Sequence, residues 1–245
     1  MPTRLVHLVL DTADPQRVAR FWAAALGWEV AYEDDDVANV WPSGYQYPDP
    51  VALPLVILRV PEPKTVKNRV HLDLASESAE HQAAQLARLR DLGARPADIG
   101  QGDVPWVVLA DPEGNEFCVL DPRPAYRDTG PVAAVVADCA DPPSLAGFWE
   151  LAAGFARTGS ADGWEQLRSP DGVGPYLELL RVPDAKTVKN RMHLDVAPHQ
   201  GEDLAADLMR LQQAGAVPIH IGQGDVSWTV LADPQGGEFC LLTPR

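Results

Sequence analysis

Positive charge is scarce in this 245-residue chain: 20 lysines and arginines stand against 35 aspartates and glutamates, a formal net charge of −15. Binding nucleic acid needs a basic footprint that neutralises phosphates, and anionic lipid headgroups draw the same side chains. Neither nucleic acid nor a membrane surface is expected as a partner. Long apolar runs are missing too. No stretch approaches the roughly 20 residues of a membrane span, and the first apolar stretch is too short for a secretory signal. Cysteine is rare: Cys118, Cys139 and Cys240 form no CxxC pair and no disulfide framework. Cys118 and Cys240 fall inside expected strands, where buried free thiols are ordinary. A soluble, cytoplasmic protein with reduced thiols is the expectation. Gly100-Gln-Gly102 precedes a strand and lacks the helix of a phosphate-binding loop, and no Gly-x-Ser-x-Gly elbow occurs. Kinase, NAD-dependent and hydrolase readings are poor.

What the chain does have is apolar residues, 46% of the total, enough for real cores, and an internal repeat. Lys64-Thr-Val-Lys-Asn-Arg69 recurs as Lys186-Thr-Val-Lys-Asn-Arg191, each followed one residue later by His-Leu-Asp. Ile99-Gly-Gln-Gly-Asp-Val104, Leu109-Ala-Asp-Pro112 and Glu116-Phe-Cys118 recur at the same offset of 122 residues. Asp11-Thr-Ala-Asp-Pro15 and Phe21-Trp22 recur more loosely, as Asp138-Cys-Ala-Asp-Pro142 and Phe148-Trp149. Two copies this long mean a domain duplication: domain 1 over residues 1–122, a Pro- and Gly-rich linker over 123–131, and domain 2 over 132–245.

Within one copy, Leu5–Leu10 reads as a strand. Asp14-Pro15 caps and opens a helix whose apolar face is Val18, Phe21, Trp22, Ala25 and Leu26, and Gly27 ends it. Strands follow near 28–32, 37–41 and 53–60. The order then restarts with strand 69–75, helix 78–92 and strands near 106–110 and 116–120. Each domain is βαβββ twice, so the chain is an α+β sandwich of four βαβββ modules. One face of each curled mixed sheet packs on helices and the other forms a cup.

Alternation of side chains along a strand sorts the cup face from the helix face. Val6, Leu8 and Leu10 go to the helices and His7 to the cup. Val70, Leu72 and Leu74 go to the helices, and Arg69, His71 and Asp73 to the cup. Glu116 and Cys118 also face the cup. Two imidazoles and a carboxylate, His7, His71 and Glu116, make the donor set of a facial triad suited to Fe(II), with Zn, Mn or Ni accepting the same set. The plainer reading is a closed hydrogen-bonded network with no metal. Tyr45 and Tyr47 lie in a Pro-rich insertion placed to lid the first cup. Trp106 and Trp228 begin matching strands, where an aromatic ring can stack on a flat ligand or close the core. Lys67, Arg69 and the repeated Arg191 offer charge to an anionic substrate, or pair with nearby carboxylates.

An early strand, an Asp-Pro helix with Phe-Trp, Asn-Arg-x-His-Leu-Asp, and Ala-Asp-Pro-x-Gly-x-Glu-Phe-Cys together resemble the glyoxalase/bleomycin-resistance/dioxygenase (vicinal oxygen chelate, VOC) superfamily over nearly the whole chain, twice. The resemblance implies two VOC-type domains and metal ligands on the first and last strands of modules, which His7, His71 and Glu116 match. Domain 2 departs from this pattern: Ala134 stands where His7 does, leaving His193 and Glu238, with Glu178 able to replace the missing group. The implied function is a divalent-metal dioxygenase or lyase/isomerase acting on a small molecule with vicinal oxygens, with Asp73 or Glu116 as base. The alternative is a metal-free binding protein of the antibiotic-sequestering kind. Monomer or homodimer, and pairing of modules within or across domains, stay open.

Overall fold

In the computed structural model, which describes residues 3–245, each copy of the repeat folds as two βαβββ modules. The first copy runs β1 (Arg4–Thr12), α1 (Pro15–Leu26), β2 (Glu29–Glu33), β3 (Val37–Trp41) and β4 (Leu55–Arg59). It continues with β5 (Val70–Leu74), α2 (Ala79–Asp91), β6 (Arg95–Pro96), β7 (Val107–Ala110) and β8 (Glu116–Val119). The second copy runs β9 (Val132–Cys139), α3 (Pro142–Ala153), β10 (Ala156–Ala161), β11 (Trp164–Arg168) and β12 (Tyr176–Arg181). Its last module is β13 (Met192–Ala197), α4 (Leu204–Gln213), β14 (Val217–Pro218), β15 (Thr229–Ala232) and β16 (Glu238–Leu241). Among the described residues no helix is long and apolar enough to cross a membrane.

Local chemistry sets the helix ends. The Asp14 carboxylate accepts the Arg17 backbone N–H at 3.1 Å, Pro15 opens α1, and Gly27 closes it at φ 69°, where a side chain would be strained. Asp141 and Gly154 occupy the same places around α3, although Asp141 makes no side-chain capping bond. The short β6 and β14 were not expected from the sequence. They are two-residue edge strands, too brief to show a period.

The strands form two eight-stranded mixed sheets, and each draws half its strands from either copy. One has the order β14-β15-β16-β13-β1-β4-β3-β2, the other β10-β11-β12-β9-β5-β8-β7-β6. The central seams are antiparallel, β1 against β13 and β5 against β9. The first sheet's free face is called cup A below, and the second's cup B.

The helix-facing sides share one apolar core, in which the aromatic contacts stay within a copy. Phe21 and Trp22 of α1 meet Phe117 of β8 edge-on at 6.0 and 5.1 Å, and Phe148 and Trp149 of α3 meet Phe239 of β16 at 5.6 and 5.5 Å. Trp22 Nε1 also donates to the buried Asp111 carboxylate at 3.3 Å. The recurring Phe-Trp, Ala-Asp-Pro and Glu-Phe blocks are thus one packing unit, written twice.

Candidate functional site

Because the seams cross between copies, His7 and His71 lie in different sheets, and the expected triad of His7, His71 and Glu116 does not assemble. His7 faces His193 and Asp195 in cup A, and His71 shares cup B with Glu178. The weaker set of Glu178, His193 and Glu238 is divided in the same way. Alternation along a strand predicts faces where the ladder is regular but says nothing about which module supplies the neighbouring strand.

Glu116 and Glu238 are also committed elsewhere. Lys64 Nζ lies 2.7 Å from Glu116 Oε1, and the Asn68 backbone N–H donates to Glu116 Oε2 at 3.1 Å. Lys186 and the Asn190 backbone N–H hold Glu238 at 2.5 and 3.3 Å. Each glutamate therefore fastens its own Lys-Thr-Val-Lys-Asn-Arg loop near both ends. The remaining cations of those loops reach across to the other copy. Lys67 pairs with Asp138 at 2.6 Å and Lys189 with Asp11 at 2.5 Å. Arg69 donates to the carbonyl oxygens of Asp184 and Asp138, and Arg191 to those of Glu62 and Asp11. The loops line a cavity of about 720 Å³ between the copies, outside both cups.

In cup A, β1 sets His7 opposite Asp195 and Val9 opposite His193, so the local twofold exchanges the two histidines. Asp195 Oδ2 lies 3.5 Å from His7 Nδ1, and its Oδ1 lies 3.5 Å from His193 Nε2. Cys240, beside Asp195 in the parallel β13–β16 pair, places Sγ 3.5 Å from His193 Nε2. The Tyr47 ring stacks on His7 with centroids 5.1 Å apart, and Arg245 donates to the phenol oxygen at 3.1 Å. Tyr45 braces the insertion instead, donating to the Asp49 carbonyl at 2.7 Å. Val6 joins this cup's apolar cluster rather than the helix side, because the ladder shifts register between Leu5 and His7.

In cup B, His71 Nε2 lies 3.4 Å from Asp73 Oδ1, and Cys118 adjoins Asp73. Ala134 occupies the twofold equivalent of His71, so this cup has one imidazole where cup A has two. Glu178 is saturated: Tyr126 OH, Gln166 Nε2 and Trp164 Nε1 donate to it at 2.7, 2.8 and 3.3 Å. Tyr126 comes from the segment between β8 and β9, in the 3-10 turn Pro124–Tyr126. Trp106 packs on the cup's apolar cluster under the Arg123 guanidinium, 5.4 Å from its ring, whereas Trp228 is 38% exposed.

Two groups among the described residues bring three metal-capable atoms together, His71–Asp73–Cys118 and His193–Asp195–Cys240. In each, one carboxylate oxygen, Asp73 Oδ1 or Asp195 Oδ1, is buried with no hydrogen-bond partner. An unpaired buried carboxylate is costly, and a divalent cation at that point would offset the cost. The donor sets fit such an ion. Burial first, and the adjacent aspartate second, push both thiols up, so neither ionises without a cation beside it. The sequence had marked Asp73 and Cys118 as cup-facing; His-x-Asp on one strand face, together with Glu-x-Cys, was the available signal for these clusters.

The fold and the repeats carry a family signature. Residues 7–120 and 134–242 both match the glyoxalase-like domain family. Among solved structures, glyoxalase I from Zea mays superposes with a TM-score of 0.67 at 13% identity, covering 98% of this chain and 92% of that one. A protein from Bacillus subtilis described as a putative dioxygenase gives 0.63 at 14% identity, covering 99% and 85%. No curated protein is similar enough to match. At such identities the neighbours establish the fold alone, whereas the two family matches span most of the sequence. The chain belongs to the glyoxalase-like domain family, with its domain present twice.

Proposed function

We propose that the protein is a small-molecule enzyme of the VOC type whose divalent-metal centre lies in cup A, where His193 and Asp195 would hold the ion and His7 flanks the other oxygen of Asp195. The observation that carries this is the Asp195 carboxylate, set between two imidazoles at 3.5 Å each with one oxygen left without a hydrogen bond. Two imidazoles and a carboxylate suit Fe(II), and Zn, Mn or Ni accept the same set. Once bound, the ion supplies Lewis-acid polarisation of two adjacent oxygens on the substrate, in oxygenase or lyase/isomerase chemistry. The chain's own part is to orient and shield. Tyr47 lies flat on His7, fixes the ring and keeps water from one side of it. Burial raises the Tyr47 phenol pKa, so it remains a neutral hydroxyl at physiological pH. Asp73 belongs to cup B and is no base for this centre.

The test is metal content after anaerobic reconstitution with Fe(II), in the wild type and in His193→Ala. The wild type should retain iron in stoichiometric amount, and His193→Ala should lose the cup A share, with affinity down at least about tenfold. A wild type that retains no iron sinks the reading. In that case a binding protein without catalysis takes over. One observation favours that second reading: the Glu178 network in cup B is fully satisfied by protein donors and walled by Tyr126, Tyr176 and Trp164.

A further inference from the structure

We propose that both cups hold a divalent cation through a cysteine thiolate, cup A by His193, Asp195 and Cys240 and cup B by His71, Asp73 and Cys118. The cup A half rests on the reading above; the thiolate donor and the second site in cup B go beyond it. Within each cluster the donor atoms all lie within 4.8 Å of one another. Pairwise spacings are 3.5 Å for His193 Nε2 to Cys240 Sγ, 3.5 Å for His193 Nε2 to Asp195 Oδ1, and 3.4 Å for His71 Nε2 to Asp73 Oδ1. A tetrahedral site with ligand bonds of about 2.0–2.3 Å has donor–donor edges of roughly 3.3–3.8 Å, and these three spacings fall in that range.

The imidazole–carboxylate contacts are not hydrogen bonds, since Asp195 Oδ1 and Asp73 Oδ1 are buried and unpartnered despite the nearby ring nitrogens. Charge points the same way. A carboxylate and a thiolate bring two negative charges, a neutral imidazole brings none, and a dication leaves the buried cluster neutral. A thiolate donor selects thiophilic ions such as Zn(II), Co(II) or Fe(II) over Mg(II) or Ca(II). The same three residue types recur at the 122-residue offset of the repeat, although the cups differ elsewhere. That difference orders the sites. In cup A, His7 stands 3.5 Å from the other oxygen of Asp195, beside the three-atom cluster, whereas cup B has Ala134 at the equivalent place. Cup A is the tighter site.

Cobalt(II) is the probe, because a thiolate bound to it gives a charge-transfer band in the near ultraviolet. Titration of the full-length, reduced protein under anaerobic conditions should raise that band up to two equivalents. Cys240→Ser should remove the tighter phase, Cys118→Ser the weaker one, and the double variant the whole band. Circular dichroism verifies that the variants fold. If one does not, the wild-type titration still decides. Cobalt retained at equilibrium dialysis with no near-ultraviolet band would overturn the thiolate proposal and leave the cup A reading standing. A band that saturates at one equivalent would remove the cup B site. No retained cobalt would remove both.

Discussion

Asp111 and Asp233 show how a repeated residue serves structure rather than chemistry. Both sit in the Ala-Asp-Pro turn and are buried, and burial raises both pKa values, with backbone and tryptophan hydrogen bonds pulling the other way. A folded-state pKa above the unfolded value means that the folded chain binds the proton more tightly. The stability tied to that proton is fully present below the unfolded value, about 4, and is lost as pH rises through the folded value. Asp233→Asn removes the ionisation while keeping an acceptor for Gln235 and Gly237. The variant should therefore gain on the wild type as pH climbs from 4 to 7, by up to about 1.4 kcal/mol for each unit of pKa difference removed. Urea denaturation at the two pH values measures it, and a stability gap independent of pH would count against the assignment. Residues of this kind were visible as repeats, but their burial was not. An Asp in a turn motif looks alike in sequence whether it faces water or the Trp22 or Trp149 indole.

Elements explain how the cup rims are tied together. The insertion over residues 42–54, between β3 and β4, carries Tyr47 onto His7. Its Pro50 presses on Gly174 in the β11–β12 loop, where an added Cβ would lie 2.0 Å from the Pro50 carbonyl oxygen at a φ of +71°. Gly174→Ala should push the insertion off its seat and add backbone strain of about 1–2 kcal/mol. Faster limited proteolysis within residues 42–54 and a lower thermal midpoint are the expected results. Unchanged cleavage would mean that the insertion is held by other contacts. At this scale the sequence was a good guide. Asp14-Pro15 and Gly27 mark the α1 ends through capping chemistry, and β3 falls at 37–41, where the sequence placed a strand. Of the two tyrosines in the insertion, Tyr47 stacks on His7 and Tyr45 bonds to the insertion's own backbone.

The whole molecule is two interleaved copies. Helix-side packing joins the modules within a copy, through Trp22 to Phe117 and Trp149 to Phe239, while both sheets are completed only by the other copy. Lys67 to Asp138 and Lys189 to Asp11 lock the arrangement at the crossing. Fragments 1–122 and 123–245, expressed together without a peptide link, should copurify as a one-to-one complex through the β1–β13 and β5–β9 seams. Size-exclusion chromatography with a tag on one fragment reads this out; two separate, folded monomers would contradict it.

Sequence by itself determined the duplication, the order of the longer elements and, outside the bulge at Val6, the face of the strand residues that it sorted. Those depend on local rules: capping, side-chain alternation and apolar period. Partnership was decided only by the tertiary structure. It put His7 with His193 rather than His71, gave Glu116 and Glu238 to lysines and backbone amides, and left one oxygen of Asp73 and of Asp195 unpaired. The physical reason is that a strand offers hydrogen bonds on both edges. Which neighbour takes them is settled by the packing of the whole chain, which no residue window contains.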